Sequence, residues 1–238
     1  MTDLLYMQDI QGCYLKEFDA QVIKQKDNYI ILNKTAFYPQ GGGQPSDTGI
    51  IQWDTKQSTV AEVIKKGIIK HILTGEQPSV GTNIHGIINW EKRYAHMKMH
   101  TAQHILSGIV FDHFTARTVG NQIHAAYSRV DFSPASFTKD DLTKIENSTN
   151  DIITQDLPLQ IYFEERKSLG QRVNEQRCNL DLLPKSIDTL RIVEIKGFDI
   201  CPCAGTHVQR TSEIPPIVIN KKESKGKDTT RLIYSFSH

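Results

Sequence analysis

His100 and His104 lie four residues apart in HTAQHIL, and Cys203 and His207 lie four apart in CAGTHV, far downstream. On an α-helix, residues four apart share a face about one turn from each other, so two imidazoles can reach one ion. The second pair spans a glycine-containing turn. Together the pairs offer three nitrogens and one sulfur, a donor set that suits tetrahedral zinc. Neither pair is decisive alone, because HxxxH also arises on solvent-facing helices and a free cysteine is most often a buried core thiol. Their conjunction points to one zinc ion held by His100, His104, Cys203 and His207. His96 continues the same row and is an alternative to His100 or His104. His71, His85, His113 and His124 lack a paired partner and read as structural or surface residues. The zinc-peptidase pattern HExxH is excluded, since Thr101 follows His100 and Ile105 follows His104, which removes the glutamate that polarises the attacking water.

These residues must be held by elements that the chain announces in its texture. Residues 1 to about 90 read as short apolar strands, QVIKQ, NYIILN, GIIQW, TVAEVIKK, IIKHILT and IHGIINW, separated by glycine-rich turns. This predicts a small β-barrel domain over 1–90 that carries the Gly41, Gly42, Gly43 triplet. From Arg93 to Phe114 there is no proline and the apolar spacing is helical, which predicts a long amphipathic helix bearing both histidines. A second helix is expected to start at Thr138, an N-cap with Asp141 three residues on, and to end before Pro158. Strands are expected at LQIYFEER and TLRIVEI. IPPIVINKKE and TTRLIYSFS should close as a hairpin with a basic tip. The fold class is therefore α+β, with the barrel domain followed by an α+β domain over 91–238 in which the metal-bearing helix packs on an antiparallel sheet.

The 238 residues contain 28 Lys and Arg against 27 Asp and Glu, so a nucleic-acid partner has to be met by a local basic patch. The acidic N-terminus does not read as a secretory signal and no run approaches a membrane span, so a cytoplasmic protein with no membrane partner is expected. Cys201 and Cys203, one residue apart, are poor disulfide partners, which leaves ligation, reactivity or burial for them.

HTAQHIL and CAGTHV together resemble the paired metal motifs of the editing domain of alanyl-tRNA synthetase and of its free-standing relatives, the AlaX proteins. TAFYPQGGGQPSDTG (35–49) is similar to the family's glycine-rich barrel motif, RVDFS (129–133) to the segment after the first helix, and THVQRTSEI (206–214) to the exit from the second metal motif. The length leaves no room for aminoacylation or tRNA-recognition domains, so the likeness is to the medium-length, free-standing form.

The resemblance implies hydrolysis of the ester joining a wrong amino acid, serine or glycine, to the 3′ adenosine of alanine tRNA, with tRNA the partner and no protein partner implied. A pocket sized for alanine admits glycine and cannot strongly reject one added hydroxyl, so a second site must remove the errors. Zinc would help by holding a water in lowered-pKa form or by polarising the carbonyl, and no side-chain base is assigned. Four firm ligands would leave the ion no open position. Either one ligand is loose or the coordination expands. Thr118 falls where the free-standing editors commonly carry threonine, which implies recognition of the serine hydroxyl. The glycine triplet is implied to meet the tRNA end or the domain interface, with Asp47 holding the loop. Ala204 replaces a usual glycine and Met99 an asparagine often found in the synthetases. Two other readings stand: editing of another mischarged tRNA, since threonyl-tRNA synthetases carry related motifs, and a non-catalytic tRNA-binding module with a structural zinc.

Overall fold

The computed structural model describes residues 2–237 apart from 175, 176, 179, 181 and 182. The N-terminal part runs through β1 (Asp3–Leu4), α1 (Ile10–Cys13), β2 (Glu17–Lys26), β3 (Tyr29–Leu32), β4 (Lys34–Thr35), β5 (Gly49–Trp53), β6 (Lys56–Lys66), β7 (Ile68–Thr74) and β8 (Asn83–Ile88). Six of these strands close a barrel in the order β2-β3-β7-β6-β5-β8. Alternation dictates the closure. Phe18, Ala20 and Val22 of β2, and Ile84 and Ile88 of β8, point inward while their neighbours face solvent. With Ile30, Ile51, Val60, Val63 and Leu73 they fill one apolar core. Closure pairs every strand and leaves no open edge.

Helix α2 (Trp90–Phe114) begins three residues earlier than its spacing predicts, because the Asn89 side chain caps it by accepting from Lys92 N at 3.2 Å. It was expected to be amphipathic, but from Met97 to Val110 every residue except Lys98 is buried. The reason is its surroundings: the helix is the axis of the second core, packed by α3 (Lys139–Thr154), β9 (Arg117–Ile123), β10 (Ser128–Ser133) and β13 (Asp199–Pro202). Met99, fully buried, belongs to this core. Among the described residues no helix is long and apolar enough to cross a membrane.

Helix α3 starts at the expected cap. Thr138 and Asp141 form a reciprocal capping box. Two antiparallel sheets complete the chain. One has the order β14-β15-β10-β9, built on the expected C-terminal hairpin of β14 (Ile217–Ser224) and β15 (Thr230–Phe236). The other is β11-β12-β13, with β11 (Leu159–Glu165), α4 (Arg166–Arg172) and β12 (Thr189–Ile195) preceding β13. Strand β9 is not among the expected strands; the structure pairs its Thr118 with Phe132 across the β9-β10 hairpin, next to a register shift at Asp131/Phe132. Gly120, Asn121 and Gln122 interrupt the apolar alternation that would have announced the strand.

A buried ion pair ties the barrel to α2. Arg93 is 0% and Asp47 1% exposed. Arg93 Nε donates to both Asp47 carboxylate oxygens at 2.9 Å, while its Nη atoms also donate to Cys13 O at 3.0 Å and Ala36 O at 2.6 Å. Asp47 in turn accepts from Tyr38 N at 2.6 Å. Asp47 therefore holds the glycine-rich segment to the helix that carries the histidines.

Candidate metal centre

One donor atom each from His100, His104, Cys203 and His207 lies within 4.8 Å of the others. His100 and His104 project from one face of α2, and Cys203 and His207 come from the turn that leaves β13. Cys203 Sγ is 3.6 Å from His100 Nε2 and 3.4 Å from His207 Nε2. His96, the alternative ligand, lies outside this group: it is buried, its Nδ1 has no hydrogen-bond partner among the described residues, and burial pushes its pKa down to about 4. His71 is sealed in the barrel against Thr35 Oγ1 at 2.9 Å.

The neighbours explain why the donors face one point. His100 Nδ1 bonds Gln44 Oε1 at 2.8 Å, and His207 Nδ1 lies 3.1 Å from Thr101 Oγ1, so in each ring Nε2 is left for the shared centre. Gln44 also spans to the second motif, accepting from Thr206 N at 3.2 Å and donating to Thr206 Oγ1 at 2.8 Å. His104 differs. Among the described residues its Nδ1 has no hydrogen-bond partner and instead faces the Asp199 carboxylate, with Oδ2 at 3.8 Å. Burial opposes ionisation of Cys203, yet its neighbours His100 and His207, with hydrogen bonds from His100 and His104, hold its thiol well below the ordinary range. Burial and the neighbouring His100 push His207 well below the ordinary histidine value. A thiolate beside imidazoles with directed lone pairs fits a divalent ion of zinc's type, and the residues present could hold one. Close packing makes Gly205 necessary, since a Cβ there would overlap the His100 ring.

Gln44, Thr101 and Asp199 escaped the sequence reading because each acts on an imidazole across the fold. The only signals were the Gln inside GGGQPSD and the Thr inside HTAQH. Gln44→Leu is expected to lower metal affinity by about 10- to 100-fold while the four donors remain. Competitive titration against a chromogenic chelator checks this, and an unchanged affinity would show that Gln44 only packs.

The group opens on a cavity of about 380 Å³, lined by His100, His104 and Cys203 and by Gln103, Thr118 and Asn121. A chain of polar contacts runs along one wall. Asn121 Nδ2 donates to Gly42 O and Gln103 Oε1, both at 3.2 Å, Gln103 Nε2 donates to Ser107 Oγ at 2.8 Å, and Thr118 Oγ1 is 2.8 Å from the same Ser107 Oγ. Of the glycine triplet, Gly42 lines this cavity while Gly41 and Gly43 line its neighbour. Gly42 and Gly43 have φ of 56° and 83°, and a Cβ on Gly43 would strike Asn121, so the triplet sits at a backbone crossing between the barrel loop and β9.

Comparison with known proteins gives a consistent result. Residues 7–92 match the family model described as tRNA synthetases class II (A), and residues 190–233 match that of the threonyl and alanyl tRNA synthetase second additional domain. The chain is 38% identical over 243 residues to the alanyl-tRNA editing protein AlaX-M of Methanosarcina barkeri, with 99% of both covered. It is 37% identical over 242 residues to the AlaX-M of Saccharolobus solfataricus, again with 99% of both covered. Alanine–tRNA ligase of Pyrobaculum calidifontis is 31% identical over 239 residues, which is 94% of this chain and 26% of that protein.

Proposed function

Because this chain belongs to the AlaX family of alanyl-tRNA editing proteins, we propose that it is a cytoplasmic trans-editing deacylase that frees alanine tRNA of wrongly esterified serine or glycine, with zinc held by His100, His104, Cys203 and His207. The observation that carries this reading is a cluster of four metal-type donors, three of which, His100, His104 and Cys203, reach the wall of a cavity that also holds Thr118.

When bound, the ion supplies Lewis acidity to an ester, a much easier target than an amide. The chain supplies orientation. Gln44 and Thr101 fix two imidazole tautomers, and the buried histidines keep Cys203 deprotonated as a donor. Among the described residues no carboxylate lines the cavity, so no side-chain base is assigned. Thr118 Oγ1, which donates to Ser107 Oγ at 2.8 Å, accepts a hydrogen bond from the serine hydroxyl, a contact that alanine does not make. Thr118→Val is therefore expected to lower the ratio of seryl to alanyl ester hydrolysis by about tenfold, the scale of one hydrogen bond. An unchanged ratio of the two rates removes Thr118 from the account.

A complete set of four donors also suits a structural zinc in a tRNA-binding module without activity. Deacylation of seryl-, glycyl-, threonyl- and alanyl-tRNA with and without a chelator separates the readings. Cleavage of the seryl and glycyl esters that chelation abolishes is the expected result. Absence of cleavage supports the structural zinc, preference for the threonyl ester supports editing of another tRNA, and cleavage by metal-free protein would defeat the mechanism.

A further inference from the structure

Beside the metal cavity lies a second groove of about 670 Å³ that no step above uses, and Asn121 lines both. Its floor is the glycine loop, with Gly41 and Gly43 in the lining. One side carries Lys92 from the first turn of α2, and the β9-β10 hairpin adds Arg129 and His124. Among the described residues neither Lys92 nor Arg129 has a carboxylate partner; the only side-chain bond of Arg129 is from Nε to Gln122 Oε1 at 2.8 Å. Glu62, on the barrel side, is the one carboxylate in the described lining. The His124 ring lies against Tyr127, with centroids 4.7 Å apart and planes at 31°, and Tyr127 is 46% exposed.

Unpaired cations along a groove, with an exposed aromatic at its rim, are what a single-stranded nucleic acid requires: cations for phosphates, ring faces for bases. The volume suits a nucleotide-sized ligand. The groove also meets the metal cavity at the Gly42–Asn121 contact, so a strand lying in it would deliver its 3′ end there. We propose that this groove is the subsite for the single-stranded 3′ end of the tRNA, with Lys92 and Arg129 on backbone phosphates and the Tyr127–His124 pair as a stacking face. The proposal rests on the deacylase reading for its substrate and adds the path by which that substrate enters.

The probe is a fluorescein-labelled single-stranded oligoribonucleotide ending in CCA, titrated into the full-length protein at several salt concentrations. The Lys92→Ala, Arg129→Ala double variant is expected to bind about tenfold more weakly, and each substitution should flatten the slope of log affinity against log salt by about 0.7. Lys56→Ala, at the end of β6 away from Glu62 and paired with Glu76, should bind within about twofold of the parent by the same electrostatic reasoning. With seryl-tRNA the KM of the double variant should rise about tenfold, by more than any rise seen with seryl-adenosine, which has no upstream phosphates. If Arg129→Ala fails to fold, Lys92→Ala alone carries the test. Unchanged affinity and salt slope, equal competition by duplex RNA, or an equal loss on seryl-adenosine would overturn the subsite. If the parent binds the oligonucleotide in this groove yet cleaves no ester, the deacylase reading fails and the subsite stands. If it cleaves seryl-tRNA and the groove variants bind and act like the parent, the subsite alone fails.

Discussion

Replacing His104 with alanine is expected to lower seryl-ester hydrolysis by about a thousandfold, equivalent to ~4 kcal/mol of transition-state stabilisation, the size of effect a Lewis-acid ion supplies. The protein should remain folded. Unlike His207, which is fully buried and absent from the described cavity lining, His104 reaches the cavity wall, and among the described residues no hydrogen bond fixes its second nitrogen. It is the least restrained of the three imidazoles, and so the donor best suited to yield room when substrate arrives. Two rings are held at Nδ1 by the short contacts to Gln44 and Thr101, and the third meets only the Asp199 carboxylate, at 3.8 Å. The measurements are single-turnover release of serine from mischarged tRNA and metal content by atomic emission, on protein whose thermal unfolding stays cooperative. Parent-like release by His104→Ala would remove the catalytic role of the metal centre.

Asp47→Ala is expected to destabilise the protein by about 3–5 kcal/mol, because it strands the Arg93 guanidinium in the interior. The two guanidinium contacts to Cys13 O and Ala36 O would survive, but the charge of Arg93 would have no counterpart: Asp47 is the only acidic side chain that pairs with it among the described residues. Urea unfolding reads the effect as a lowered midpoint at similar slope. Replacing both residues with apolar ones should cost less than the single change, since no orphan charge remains. A single-variant loss below about 1 kcal/mol, the range of an exposed pair, would mean that water reaches the guanidinium.

Much of this was legible because it was periodic or local. The inward alternation of β2 and β8, the Thr138–Asp141 box and the four-residue spacing of His100 and His104 each depend on residues within a turn or a strand of one another, where covalent geometry dictates direction. The hairpin of β14 and β15 belonged to the same class. Strand β9 did not, because its polar run from Gly120 to Gln122 serves a cavity wall and not a core face. Strand β13 ends on Cys201 and Pro202, residues that do not advertise pairing. The full burial of α2 was also hidden, since a helix sequence cannot say how many layers will close over it. At the site the four donors were readable as types and spacings. Gln44, Thr101 and Asp199 were not, because their relevance exists only once segments far apart in the chain have met.

Gln44 carries one consequence for anyone who would trim this molecule. A fragment beginning at Trp90 would inherit all four donor atoms and the whole of α2, yet the amide that aims the His100 ring arrives from the barrel loop. Such a fragment could take up metal with one imidazole free to rotate, and it would also strand Arg93, whose side-chain partners all lie in the barrel part. Truncated versions are therefore to be judged by metal stoichiometry and off-rate as well as by folding. An amide or carboxylate grafted opposite the ring would be the repair to attempt first.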